Sequence, residues 1–501
     1  MESFFVSVVA AVLLILMSFT YFLSSGPRRK LPPGPYPLPI IGNMLQLGRQ
    51  PHHTFAKLSK QYGPLMSIHL GSLYTVVVSS PEMAKEILHK HGQVFSGRTN
   101  AQAVHACDHD KRSIVFLPAS NSWREMRKIC KEHLFSHQSL EAGEGLRRWK
   151  LQQLLGYVQR CCDGGRAVDI REAAFITTFN LMSATLFSIQ ATEFDSKVTR
   201  EFREIIEGVA SIVGVANFAD YFPILKPFDL QGIKGKAEAS LGKLREKVEG
   251  YLNQRLESRK ANPDAPKKTD FLETLVDIME ADESGHFTKD HLIHLLMDLL
   301  VGGSDTNSTT IEWIMSELVM NPDKLAKVKE ELKSVVGEKK VVPESEMARL
   351  PYLQAVIKEV LRYHPPGPLL LPRKAESDQQ LNGGYFIPKG TQVLINMWAI
   401  GRDPTIWKNP DSFEPERFLD QNIDFKGQDF ELIPFGSGRR LCPGVPLANR
   451  MLHMTTATLV HNFDWKLEDA TAAAADHRGE LNGLADRRAA PLRILPIKSL
   501  M

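Results

Sequence analysis

The longest uninterrupted apolar run, Phe4 to Leu23, holds no charge and only Ser7, Ser18 and Thr20 as polar interruptions. At about 20 residues it matches the ~30 Å of hydrocarbon that a single helix must cross. Arg28, Arg29 and Lys30 follow it and only Glu2 precedes it, so the positive-inside rule puts the rest of the chain on the cytosolic side. A cleaved signal peptide would carry its charges ahead of the run. Pro32-Pro33-Gly34-Pro35 then forbids helix continuation. The expected organisation is a membrane anchor over 1–25, a basic, Pro-rich hinge over 26–40 and one globular domain over 41–501.

Beyond the hinge the rhythm is mainly α, with a smaller β region. Leu65 to Ser79 is β-branched and aromatic around one glycine, which predicts a hairpin. Ser80-Pro81-Glu82 reads as an N-cap and first turn of a short helix. Arg259 to Lys268 reads as a solvated connection within a domain. Leu353, Val356, Ile357, Val360 and Leu361 mark another helix ending at Pro365, with Glu359 and Arg362 one turn apart. By itself that pair is an ordinary salt bridge.

The most informative helix starts after Thr288 and ends at Asn321-Pro322. Its stripe of Leu292, Leu295, Leu296, Leu299 and Leu300 extrapolates to Gly303 and Thr306, within Gly302-Gly303-Ser304-Asp305-Thr306-Asn307. Two glycines in a helix interior cost about 1 kcal/mol each relative to alanine. One reading is a close helix–helix contact, with Thr306 bonding back to its own turn. The other is a flat group lying against the glycines, with Asp305 and Thr306 as polar groups in an apolar pocket.

Composition narrows the class without deciding it. The 501 residues are 43% hydrophobic and 24% charged, within the globular range. With 61 basic and 58 acidic residues there is no field to recruit nucleic acid. Five cysteines are too few for a disulfide framework, and adjacent Cys161 and Cys162 read as surface thiols in a polar turn. His105, Cys107 and His109 alternate in a loop and make a poor zinc set. The sequon Asn307-Ser308-Thr309 falls inside a helix and should be unmodified.

Pro434 to Pro446, PFGSGRRLCPGVP, carries the chemistry. It fails as a dinucleotide fingerprint, because Leu441 stands where the third glycine belongs, and it lacks the known local signatures of thiol proteases. As a metal ligand Cys442 is soft, flanked by glycines, and set before a helix whose N-terminus stabilises a negative sulfur.

Phe435, Gly438, Arg440, Cys442 and Gly444 match the FxxGxRxCxG haem loop, and the chain is identified as resembling the cytochrome P450 family. The resemblance runs the whole length and implies that fold, preceded by the anchor. It implies haem b, with Cys442 as its axial iron ligand, Phe435 over the sulfur, and Arg127, Arg373 and Arg440 at the propionates. Trp123 belongs to the same WxxxR segment as Arg127. Gly302 and Gly303 would face the porphyrin, and Asp305 and Thr306 would deliver protons for oxygen activation. Glu359, Arg362 and Arg417 would form a buried structural triad. Asn307 departs from the Thr or Ser common in the family, which bears on proton delivery.

The anchor and elbow resemble microsomal plant members. Segments such as AVHACDHDK and PPGPLLLPRKAESD look like the ferruginol-synthase type of diterpene oxidase. That implies hydroxylation of an abietane hydrocarbon on its aromatic ring, in a pocket of Val115, Phe116, Leu296, Val301, Leu369, Leu370 and Leu484. The implied partners are O₂, a lipophilic substrate, membrane lipid and NADPH–cytochrome P450 reductase at the endoplasmic reticulum, since the chain has no nicotinamide or flavin fingerprint. The run Val209 to Phe228 reads either as bilayer-dipping or as core. Other terpenoids such as a labdane or a monoterpenol, a non-oxygenating haem-thiolate isomerase, and a haem sensor are the rival readings.

Overall fold

A computed structural model of the chain describes residues 29–189, 197–337, 339–469, 480–481 and 483–498. The expected anchor, 1–25, and the start of the hinge lie outside them. Among the described residues no helix is long and apolar enough to cross a membrane.

The fold is mainly helical with small sheets, and its elements form where the apolar rhythm places them. The principal helices are α1 (Pro51–Tyr62), α2 (Asn121–Ile129), α3 (Glu144–Asp163), α4 (Ile170–Phe187), α5 (Lys197–Val213), α6 (Ile233–Ala261), α7 (Lys289–Met320), α8 (Pro351–Tyr363) and α9 (Val445–Asn462). Helix α7 is the axis. Thr288 caps it, accepting from the His291 N–H while the His291 ring accepts from the Thr288 N–H, which satisfies N–H groups that a helix start leaves unpaired. Its broadest contact is with α4, and α6 and α9 pack on it as well. Leu292, Leu295 and Leu296 of its stripe are fully buried.

The hairpin of β1 (Leu65–Leu70) and β2 (Leu73–Val78) forms as expected, turning at Gly71 with φ +56°. It opens a five-stranded sheet continued by β5 (Gln392–Ile395), β4 (Arg373–Lys374) and β3 (Gly97–Arg98). The Pro-rich elbow docks on β1, where Ser67 donates its N–H to Pro33 O and its hydroxyl to Pro32 O, at 2.8 and 2.7 Å. A second sheet pairs Arg493–Lys498 with Val168–Asp169 and Phe463–Leu467.

Three details differ from the sequence reading. Cys161 and Cys162 end α3 rather than occupying a turn, and Cys161 is buried. Helix α6 runs to Ala261, because Arg259, placed in the connection by its polar neighbours, ion-pairs with Glu273, Asp277 and Glu280 of the next helix. The run Val209 to Phe228 is divided: Val209 and Ala210 join the core, while Phe218, Ile224 and Phe228 are exposed.

Glu359 and Arg362 are fully buried and paired through two hydrogen bonds of 2.7 and 2.8 Å. Arg417 donates to Glu359 Oε1 at 3.1 Å, and Arg362 reaches the carbonyls of Gly401, Pro410 and Ser412. The three side chains thus clamp α8 to the segment leading to the Cys442 loop. Glu359→Ala strands two guanidinium groups, a loss of about 3–5 kcal/mol, and should abolish accumulation of haem-loaded protein, read by visible absorbance of the purified fraction.

Glu312 lies buried in α7, accepting the Leu492 N–H at 2.9 Å, and burial raises its carboxyl pKa to about 7. An acid whose folded pKa is raised contributes stability at low pH and loses it as pH climbs through the folded value. Melting temperatures of wild type minus Glu312→Gln should therefore fall from pH 5 to pH 8; a flat difference would contradict the assignment.

Candidate active site

Sheet register sets up an unusual electrostatic problem. Antiparallel pairing of β3 and β4 puts Arg98 directly opposite Arg373, an arrangement of like charges that destabilises a ladder. Arg440 and Arg127 join them. Arg373 and Arg440 are buried, and burial together with the neighbouring cations pulls Arg98, Arg373 and Arg440 down to about 9. None of the four has a carboxylate within salt-bridge distance among the described residues, and the acceptors of Arg98, Arg373 and Arg440 are backbone carbonyls. Arg98 reaches Val115 O at 3.1 Å and Leu371 O at 2.8 Å. Arg373 reaches Phe95 O at 3.3 Å and Ser437 O at 3.2 Å. Arg440 reaches Ser96 O at 3.0 Å and the carbonyls of Ile114 and Leu117. Buried charges are ordinarily paired, so this cluster calls for an anion from outside the polypeptide.

Trp123 braces the cluster with its ring. Its Nε1–H is already donated to Ile114 O at 3.1 Å. Its ring instead lies beneath Arg440, 4.4 Å from the guanidinium carbon, with Arg127 at 5.8 Å, a cation–π contact.

Cys442 follows directly on this cluster. The Gly436 and Gly438 residues of its loop take φ of +74° and +66°, and a Cβ at Gly438 would lie 2.2 Å from Leu88 O, so only glycine fits there. The Cys442 N–H donates to Phe435 O at 3.0 Å. The Phe435 ring leans on Phe425, centroids 5.6 Å apart. Gly444 is the N-cap of α9. Burial raises the Cys442 thiol, while the Gly444 N–H, Arg127 and the Val445 N–H act in the opposite sense. The residue as a whole is nevertheless exposed. Desolvated surroundings and an accessible surface agree if the sulfur faces an internal space closed off by protein.

Helix α7 has the same signature. Gly302 is exposed although it sits mid-helix beside buried Val301, and a methyl group there would meet nothing within 4 Å. Gly303 does not share that open side: its Cβ would lie 2.9 Å from Met182 Sδ of α4. The two readings of the glycine pair are thus divided between them, open space at Gly302 and helix packing at Gly303. Thr306 does bond back to its turn, donating its hydroxyl to Gly302 O at 2.6 Å, and the Asn307 amide does likewise to Gly303 O at 2.8 Å. Asp305 is buried beside Arg171, at 3.4 Å, and burial raises its carboxyl pKa against the pull of that cation. The sequon asparagine, Asn307, is buried.

Hydrogen bonds gather the expected pocket segments. Asp298 of α7 accepts from the Ser113 hydroxyl at 2.6 Å and the Ile114 N–H at 2.9 Å, bringing Val115 and Phe116 to the long helix. Arg98 ties Val115 to Leu371, just past Leu369 and Leu370. Leu484 N–H donates to Ala210 O, and Asp486 N–H to Pro366 O, both at 2.9 Å. Leu296 has no exposed surface and belongs to the core rather than the wall, and Val301 is nearly as buried. His105 pairs with Asp110 while His109 turns to His294 and Asp298, so no zinc set forms there.

Arg98 and Asp298 escaped the sequence reading. A lone charge inside the Leu stripe was a legible signal for Asp298, since a buried acid needs partners. Arg98 carries no local signal; only the sheet register reveals it.

Gly303→Ala should lower the melting temperature through overpacking worth about 1–3 kcal/mol. In a double-mutant cycle with Met182→Ala the two changes should couple favourably, and additive effects would contradict the contact.

Residues 32–483 match the profile of the family described as Cytochrome P450. The chain is 76% identical over 485 residues to Ferruginol synthase of Isodon rubescens, covering 97% of this chain and 98% of that one. It is 72% identical to Sugiol synthase of Salvia miltiorrhiza, covering 98% and 99%, and 52% identical to Carnosic acid synthase of Rosmarinus officinalis, covering 93% of each. A zebra fish cytochrome P450 solved with progesterone superposes with a TM-score of 0.75 at 24% identity, over 89% of this chain and 99% of that one.

Proposed function

This chain belongs to the cytochrome P450 family and is a haem-thiolate monooxygenase using haem b, O₂, a lipophilic substrate and a redox partner; we propose that it hydroxylates an abietane-type diterpene to ferruginol, with Cys442 as the axial ligand. The observation that carries the site assignment is the cluster of Arg98, Arg127, Arg373 and Arg440 with no carboxylate in salt-bridge distance among the described residues. Two haem propionates would supply the missing negative charge, and charge-assisted hydrogen bonds from guanidinium groups are the strong class. The open side of Gly302 and the accessible Cys442 fit a flat group lodged between α7 and the α9 loop.

When bound, the haem iron supplies the activation of O₂ and the insertion of one oxygen atom. The chain contributes the rest. The N–H groups of Gly444 and Val445 and the Arg127 charge favour the anionic form of Cys442 against the cost of its burial, so that it would hold the haem iron as a thiolate. Thr306 keeps its hydroxyl proton on Gly302 O, which leaves its oxygen lone pairs to accept from water. Asp305, held protonated more readily than an exposed acid, lies against Arg171, which also approaches part-exposed Glu207 at 3.7 Å. This line of polar groups is the proposed proton route from solvent to Thr306.

The substrate reading rests on likeness to relatives named Ferruginol synthase at 71–76% identity and on the apolar wall of Val115, Phe116, Leu369, Leu370 and Leu484. Likeness to Sugiol synthase makes sugiol the variant product reading. Exposed Tyr36, Ile40, Leu45, Phe218, Ile224 and Phe228 would rest on the membrane beside the proposed anchor at the endoplasmic reticulum. The elbow and the Phe218 segment meet at the hairpin tip, where Gly71 N–H donates to Ile41 O and Ser72 N–H to Tyr221 O. NADPH–cytochrome P450 reductase is the proposed electron donor.

With that reductase, NADPH and an abietane hydrocarbon, the purified chain should form ferruginol, identified by mass spectrometry and NMR. Absence of NADPH-dependent product would favour an isomerase or a haem sensor, and product only from labdanes or monoterpenols would reassign the substrate. Cys442→Ser should lose the reduced carbon-monoxide band, and its survival would remove Cys442 as the ligand.

A further inference from the structure

Far from the arginine cluster in sequence, helix α1 begins Pro51-His52-His53, and both imidazoles turn toward the C-terminal hairpin that pairs Glu480–Leu481 with Arg487–Arg488. The side chain of His52 is only 2% exposed, and its Nε2 has no hydrogen-bond partner among the described residues. That nitrogen lies 3.5 Å from Glu480 Oε2, and one ligand atom each from His52, His53 and Glu480 falls within 4.8 Å of the others. A gap of 3.5 Å is long for a charge-assisted hydrogen bond. It matches the separation of two ligands on a tetrahedral ion: at about 2.0–2.1 Å from zinc, neighbouring donors stand about 3.4 Å apart.

The surroundings reinforce the comparison. On the other edge of the same ring, His52 Nδ1 faces Asp486 Oδ2 at 3.8 Å, and that oxygen is also unpartnered. A carboxylate behind the second ring nitrogen is the usual support of a metal-binding histidine, fixing its tautomer and raising its basicity. His53 is half-buried, its ring 4.4 Å from that of His52 between centroids. Two acidic side chains, Glu480 and Asp486, face the same space. His364 brings Nδ1 to 3.7 Å from Glu480 Oε1 while its Nε2 is committed to Glu317 at 2.8 Å. Arg402, stacked on Trp398 at 4.2 Å, also acts on His53, and Glu480 offsets it.

We propose that His52, His53 and Glu480 bind a zinc ion, with Asp486 orienting His52, as a second metal site separate from the haem. Two imidazoles and a carboxylate are a known three-ligand zinc set with a fourth position open to water. The ion staples the first helix of the globule to the hairpin that carries Leu484, and so braces one wall of the substrate pocket from behind.

Tag-free, haem-loaded protein is equilibrated with zinc, desalted, and assayed for zinc and iron by mass spectrometry. Wild type should retain about one zinc per chain, and His53→Asn, at the half-buried position, should retain little. Against a chromogenic chelator, Asp486→Asn should bind zinc about 10–100-fold more weakly. The reduced carbon-monoxide spectrum of each variant shows that it is folded and haem-loaded, so zinc loss is read apart from any loss of the haem site. Wild type that retains no zinc, or equal retention by wild type and His53→Asn, overturns the proposal.

Discussion

Four clustered guanidinium groups, two of them buried and none with a carboxylate in salt-bridge distance among the described residues, are the constraint on which the rest of the site depends. Arg98 and Arg373 face each other by sheet register, and Arg440 lies on the Trp123 ring that Arg127 also approaches. A polypeptide that merely needed to be stable would pair these cations or replace them with apolar side chains, since buried ionic groups are costly even when matched. Their persistence makes sense when an anionic ligand completes the structure. The same ligand accounts for the accessible yet desolvated Cys442 and for the open side of Gly302. It joins two faces of one internal space, the loop before α9 and the middle of α7.

The scaffold around that space is built to resist deformation. The Glu359–Arg362–Arg417 cluster fixes the segment that leads into the Cys442 loop, and Gly303 lets α4 press against α7. Thr306 and Asn307 return their side chains to the carbonyls of the glycine pair. The helix is therefore continuous where its propensity is weakest, and its polar groups are placed before any ligand arrives. Preorganised polar groups of this kind act without reorganisation during reaction.

Much of this was legible in the chain. The helix limits at Thr288 and Asn321 followed from capping chemistry, and the hairpin from β-branched residues around one glycine. The Cys442 loop was legible because its requirements, two left-handed glycines, a cation and a thiol ahead of a helix, fall within one short segment. What stayed hidden depends on distant pairing. Arg98 acquires its meaning only from Arg373, brought opposite by a sheet that also runs through β5. The glycine pair could not be divided between cavity and packing without knowing that Met182 stands against one of them. Cys161 sounded like a turn residue because its neighbours are polar, yet α3 turns it inward. The apolar run expected to serve as an anchor lies outside the described residues.

The central claim is that the arginine cluster exists to hold the haem propionates, and Arg98 tests it best because no sequence motif singles it out. The rate at which haem leaves the holoprotein for excess apomyoglobin should rise at least about tenfold in Arg98→Leu, the loss of one charge-assisted hydrogen bond. Transfer at the wild-type rate from a folded Arg98→Leu protein would contradict the account.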